Sequence, residues 1–169
     1  MAANPWADLR GVLQEQLAVL RDLVAVGEKM SEVLVQGRPE DLETLVSGQQ
    51  ALVWRLGRLE EKRAQVQSQL GTLDGRPATE LTLSELQALA PEAEKAPLAE
   101  LSAGLADAAA SLREVNERNR ALLQGALAYT EFALQLLRPD AGSGAAATYS
   151  PQGRPGGTGS GPRLVDGRA

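Results

Sequence analysis

The side chains of this sequence that could do chemistry are few, and most are carboxylates. Glu60 with Glu61, and Glu114 with Glu117, place acids close enough in sequence for paired general acid–base work. That work requires different surroundings for the two groups, so that their pKa values part. On helices, these pairs read instead as solvated faces. Histidine and cysteine are absent, which removes imidazole bases, thiolate nucleophiles and the usual zinc sites. No Gly-rich phosphate loop joins a strand to a helix, and Gly156-Gly157 lie in a linker-like stretch. The sequence argues against an enzyme, and neither a cofactor nor a metal is expected. What stands out is a pair of amides, Asn116 and Asn119, three positions apart in "VNERNRALLQ". Asn119 falls where the surrounding pattern asks for a leucine.

The elements that must position these residues follow from composition and periodicity. Only 3% of the 169 residues are aromatic, so Leu, Val and Ala must fill any core, which suits interlocking helices better than a β-sandwich. The net charge of −5 disfavours nucleic acid and anionic membrane surfaces as partners. No run approaches the roughly 20 apolar residues of a membrane span. The start "MAANPWADLR" has neither the basic nor the apolar region of a signal peptide. A cytoplasmic location is expected.

Asn4 as N-cap and Pro5 at the first helical position open a helix that Gly37 should close. Its heptad seam runs from Trp6 and Leu9 to Met30 and Leu34, with Gln16 and Gly27 out of character. Pro39-Glu40-Asp41 starts a second helix extending to about Asp74, and the short connection makes the two an antiparallel hairpin. Thr82 and Glu85 have capping-box spacing ahead of a short helix ended by Pro91, with Leu83, Leu86 and Leu89 facing the bundle. A third long helix is expected from near Pro97 to Arg138, about 63 Å at 1.5 Å per residue. Its seam reads Leu98, Leu101, Leu105, Ala108, Leu112, Val115, Asn119, Leu122, Ala126, Tyr129, Ala133 and Leu136. The fold class is therefore all-α: an elongated antiparallel bundle of three long helices and one short one, with coiled-coil-like packing. Strands have almost no support. The bundle should occupy 1–138, and the Gly/Pro-rich stretch 139–169 should be a flexible tail.

A single amide in an apolar seam fixes register at some cost in stability. If the third long helix runs antiparallel to the second, Asn119 comes within about a turn of Gln49, close enough for an amide pair. The other reading is that the seam faces a partner at this point. Gln16 and Arg63 are expected to snorkel from fraying seams. Trp6 and Trp54 read first as core or groove packing, with recognition of a partner as the other reading. Tyr149, alone in the tail, reads equally as a recognition anchor or as an accident. The third long helix also carries Leu123, Leu127, Phe132, Leu134 and Leu137 beyond its seam, a stripe wider than a three-helix core uses.

"EVNERNRALLQGALAYTEFALQLLRP" resembles the C-terminal helix of the FlgN family of flagellar export chaperones. The likeness lies in Asn116 and Asn119, the Leu122-Leu123 pair one turn on, and the apolar ending before Pro139. It continues into "ATYSPQG", which is similar to the family's tail signature of a tyrosine followed closely by glycine. The resemblance implies a cytoplasmic type III export chaperone that binds hook-associated junction proteins through their C-terminal helical segments. It would prevent premature assembly and deliver them to the export gate. Cargo would lie on Leu123, Leu127, Phe132 and Leu134; Asn116, Asn119 and Leu122 would carry the motif and register; Tyr149 would reach the gate. Neither nucleic acid nor stable membrane insertion is implied. The alternative is a structural coiled-coil protein that self-associates, as a homodimer for example, through the same third long helix.

Overall fold

The computed structural model describes residues 4–137. The expected tail, with Tyr149, and the expected helix end at Arg138 lie outside the described residues. The fold is the expected all-helical bundle of three long helices and one short one. Helix α1 is Pro5–Gln36, α2 is Leu42–Gln69, α3 is Leu83–Leu89 and α4 is Glu92–Leu137.

Local chemistry accounts for most boundaries. The Asn4 side chain accepts a hydrogen bond from the Trp6 N–H at the start of α1, with Pro5 at the first position. Gly37 closes that helix in the left-handed conformation, φ 66°, which glycine adopts without a Cβ penalty. The 3-10 turn Pro39–Asp41 then reverses the chain into α2.

Two boundaries differ from expectation. Helix α2 ends at Gln69, five residues early, because Gly71 just beyond its cap takes positive φ, 71°; Asp74 and Gly75 then take positive φ as well, 49° and 75°. Two successive positive-φ residues make the tight reversal that joins hairpin strands, here β1 (Thr72–Leu73) and β2 (Arg76–Pro77). The Gln67 amide, itself buried, donates to the Ala78 carbonyl at 3.2 Å and holds this hairpin against α2. Helix α4 begins at Glu92 and continues through Pro97, which lies inside it. The Pro91 carbonyl accepts from the N–H groups of Glu94 and Lys95, so the helix is already wound before Pro97.

The core lies at the end where the connector crosses. Leu9, Val12 and Leu13 of α1 meet Val66 of α2, Leu86 of α3, and Leu98 and Leu101 of α4. Of the three leucines expected to face the bundle from α3, Leu86 is buried and Leu83 half-buried, while Leu89 is exposed. Each step of three residues turns about 60° around the helix, so Leu89 lies about 120° from Leu83 and leaves the inward face. Further along, Val19 and Leu23 pack with Leu59. The outlying seam residues do not mark fraying. Gln16 is buried and donates to Glu60 at 2.9 Å, and Arg63 pairs with the same carboxylate. Chiefly the Arg63 bond, with help from Gln16, holds Glu60 below the ordinary carboxylate range against its partial burial.

Helix α3 has the full capping box. The Thr82 hydroxyl accepts from the Glu85 N–H, and the Glu85 carboxylate accepts from the Thr82 N–H at 2.7 Å. These bonds, first that from the Thr82 N–H and then that from its hydroxyl, with Arg76 adding, lower Glu85 from 4.5 to about 2. A depressed carboxylate contributes stability that is present above its unfolded pKa and lost as pH falls through its folded one. Glu85→Gln keeps the capping geometry but removes the charge. Its melting temperature should fall below that of the parent at pH 7, with the gap closing between pH 4.5 and 2. A gap of constant size down to pH 2 would assign the effect to shape alone.

Candidate partner-binding site

Helices α1 and α4 run parallel, and one contact sets their register. Asn119 is 6% exposed. Its Nδ2 donates to the Gly27 carbonyl at 2.9 Å, and its Oδ1 accepts from the Ser31 hydroxyl at 2.5 Å. The partner is α1, and the expected pairing with Gln49 does not occur: α4 lies along α1, whereas Gln49 sits on α2. Gly27 makes the approach close, since a Cβ there would overlap Val115 Cγ1. The out-of-character glycine of one seam thus faces the out-of-character asparagine of the other. Arg118 pairs with Glu28 at 3.2 Å beside this contact.

From that contact the rest of α4 can be placed. Gly27 stands beside Val115 and Ser31 beside Asn119, the same offset of 88 residues. Gln36, the last residue of α1, is therefore level with Gln124. Beyond it α4 has no α1 to lie on, and residues 125–137 project about 20 Å. Leu122 is the last leucine of the expected seam that is half-buried. Ala126, Tyr129 and Leu136, expected to continue that seam inward, are exposed, Tyr129 at 74%. The periodicity was real, but α1 is too short to cover it.

This arm carries the residues expected to bind cargo. Leu123, Leu127, Phe132 and Leu134 are all exposed, Leu127 at 64%. At 3.6 residues per turn, Asn116, Leu123, Leu127 and Leu134 fall on one line along α4. Phe132 lies nearly opposite, with Tyr129 and Leu136. The expected set is thus two ridges of a single broad apolar arc, about 220° wide by the same geometry. Asn116 is exposed at the head of the first ridge. Glu131 is the only charged residue from 123 to 137. Of Leu137 only the helical backbone is described, and Tyr149 lies outside the described residues.

What the arrangement can do is bind, by contact. Among the described residues no three His, Cys, Asp or Glu side chains gather as a metal site, and no helix is long and apolar enough to cross a membrane. Glu114 and Glu117 are exposed. A second surface lies on the outer face of α2: Trp54, expected in core or groove packing and otherwise as a recognition residue, is 77% exposed there and is no part of the core. Trp6, by contrast, packs against the core cluster. The signal for Trp54 was its place two residues off the Leu52–Leu56–Leu59 seam.

A family model described as FlgN protein matches residues 6–157 of the chain. No curated protein and no solved structure gives a significant match.

The close contact at Gly27 yields a test. Gly27→Ala should destabilise by about 1–3 kcal/mol, because the forced separation outweighs the gain in helix propensity. Gly48→Ala, at a position of α2 with open space around it, should instead stabilise by about 0.5–1 kcal/mol. Val115→Ala should recover part of the Gly27→Ala loss in a double-mutant cycle. Equal stabilisation by the two glycine substitutions, in chemical denaturation, would mean that α1 and α4 do not meet closely there.

Proposed function

The chain belongs to the FlgN family of flagellar export chaperones, and we propose that its α4 arm captures the C-terminal helical segments of hook-associated junction proteins. The single observation that carries this reading is the arm itself. A helix that is apolar over most of its circumference belongs in the interior of something, yet residues 123–136 are almost wholly exposed. Two cargo helical segments, one along each ridge of the arm, would bury its apolar arc, each laying its own apolar face on the arm. The junction protein's own assembly segment would then be covered, which prevents premature polymerisation. The work is non-catalytic and takes place in the cytoplasm before export.

Delivery is assigned to the residues that follow. Tyr149 stands eleven residues beyond Arg138 in the sequence. A tyrosine supplies a rigid apolar ring and a hydroxyl at low entropic cost, qualities suited to anchoring in a partner's pocket. In this reading the arm holds cargo while Tyr149 engages the export gate.

Two measurements test the proposal. Leu127→Asp and Phe132→Asp should each weaken binding of a junction-protein C-terminal fragment tenfold or more, about 1.4 kcal/mol, with the melting temperature nearly unchanged. Leu112→Asp, inside the bundle, should unfold it. If the arm variants bind the fragment normally, the cargo surface lies elsewhere. If instead the free protein dimerises by light scattering and both variants abolish the dimer, the arm serves self-association.

Tyr149→Ala should leave fragment binding intact and reduce docking to the cytoplasmic part of the gate, with cargo secretion falling accordingly. Loss of fragment affinity with gate docking untouched would place Tyr149 in the cargo site and overturn the division of labour.

A further inference from the structure

The outer face of α2 presents a second surface with a different chemistry from the arm. Trp54 points away from the seam that α2 makes with α1 and is 77% exposed, so folding gains little from it. It lies in an open groove of about 670 Å³, bounded by Ala51, Arg55, Arg58 and Lys62 on α2 and by Glu15 of α1. Positions 51, 54, 55, 58, 62 and 65 follow one another at helical spacing, so this face is continuous over about 21 Å.

The charges on this face are unequally engaged. Lys62 is paired with Glu15 at 3.3 Å. Among the described residues Arg55 and Arg58 form neither an ion pair nor a side-chain hydrogen bond, although Asp and Glu outnumber Lys and Arg by 22 to 17 in this chain. Two unengaged guanidinium groups thus flank an exposed indole, at one and four positions along the same helix. Tryptophan and arginine are the residues most enriched where binding energy concentrates. Each guanidinium offers a carboxylate two parallel donors.

We propose that this face docks an acidic amphipathic protein segment, distinct from the cargo held on the α4 arm. An apolar side chain of the segment would lie on Trp54 and Ala51, and its carboxylates would engage Arg55 and Arg58. Charge complementarity selects this occupant. A polyanion such as nucleic acid or an anionic bilayer would bring many charges against Glu15, Glu61 and a net charge of −5. A short segment with two or three carboxylates meets only the local pair. The site resides on α2, so the proposal stands or falls separately from capture at the arm.

The test uses the full chain and a labelled helical peptide of about 15 residues, with leucines along one face flanked by glutamates. Fluorescence anisotropy should show saturable binding that weakens as salt rises. Trp54→Ala, and separately the double variant Arg55→Glu/Arg58→Glu, should each weaken it at least tenfold. Leu127→Asp should leave it unchanged, and unaltered circular dichroism should show that the α2 variants remain folded. The same peptide with lysines in place of glutamates should not compete. Equal binding of the lysine peptide, or unchanged binding by the arginine variant, would overturn the proposal. So would binding to phosphatidylglycerol vesicles in place of the peptide. Loss of the glutamate peptide on Leu127→Asp would assign it to the arm and overturn the second site.

Discussion

The contact between Gly27 and Asn119 is the constraint from which the disposition of α4 follows. Two helices approach closely only where a side chain is missing, and Gly27 supplies that gap against Val115. The amide then does what an apolar residue cannot: it bonds to the Gly27 carbonyl and the Ser31 hydroxyl across the seam. A slip of α4 by one turn would place Asn119 against other residues of α1 and leave its buried amide without these partners. Such groups are costly to bury unpaired, by roughly 1–3 kcal/mol, so the register is held by what the wrong registers lose.

Fixed in this way, α4 outlasts its support. An isolated helix of about 15 residues is marginal in water, because nucleation is costly. The arm escapes that cost by continuing from turns already anchored on α1. Its helicity therefore depends on the anchored part, while its apolar arc faces solvent. Large apolar patches of this kind mark interaction surfaces. The surrounding net charge of −5 adds self-repulsion, which opposes indiscriminate association of one such arm with another.

Much of this was legible in the sequence, and the misses have definite causes. Caps are local chemistry, so Asn4, Pro5, Gly37 and the Thr82–Glu85 box could be read directly. Heptad periodicity located the three long helices because each buries a stripe over many turns. It says nothing about how far the neighbouring helix extends, so Tyr129 and Leu136 read as inward although nothing lies opposite them. Nor does it choose between neighbours, which is why Gln49 on α2 stood as a partner for an amide that α1 satisfies. The Asp74-Gly75 pair is a hairpin signal, but leucines at helical spacing continue through Leu73 and read as helix up to it. Gly27 was visible as an irregularity, and its use became clear only beside Val115.

The irregular residues divide by where their polar groups end up. Gln16, Asn119 and Gln67 interrupt apolar faces yet are buried and bonded across elements, to Glu60, to Gly27 with Ser31, and to Ala78 respectively. Each ties two segments at a chosen register. Trp54 and the arm leucines are the inverse: side chains that would suit an interior, placed where this fold has none. Buried amides that are satisfied make a body rigid, and exposed apolar groups on that rigid body can act on a partner without first being ordered. Preorganisation of this kind lowers the entropic cost of association. Amides bonded inside the apolar seam and apolar side chains left outside it are thus complementary features of one rigid body.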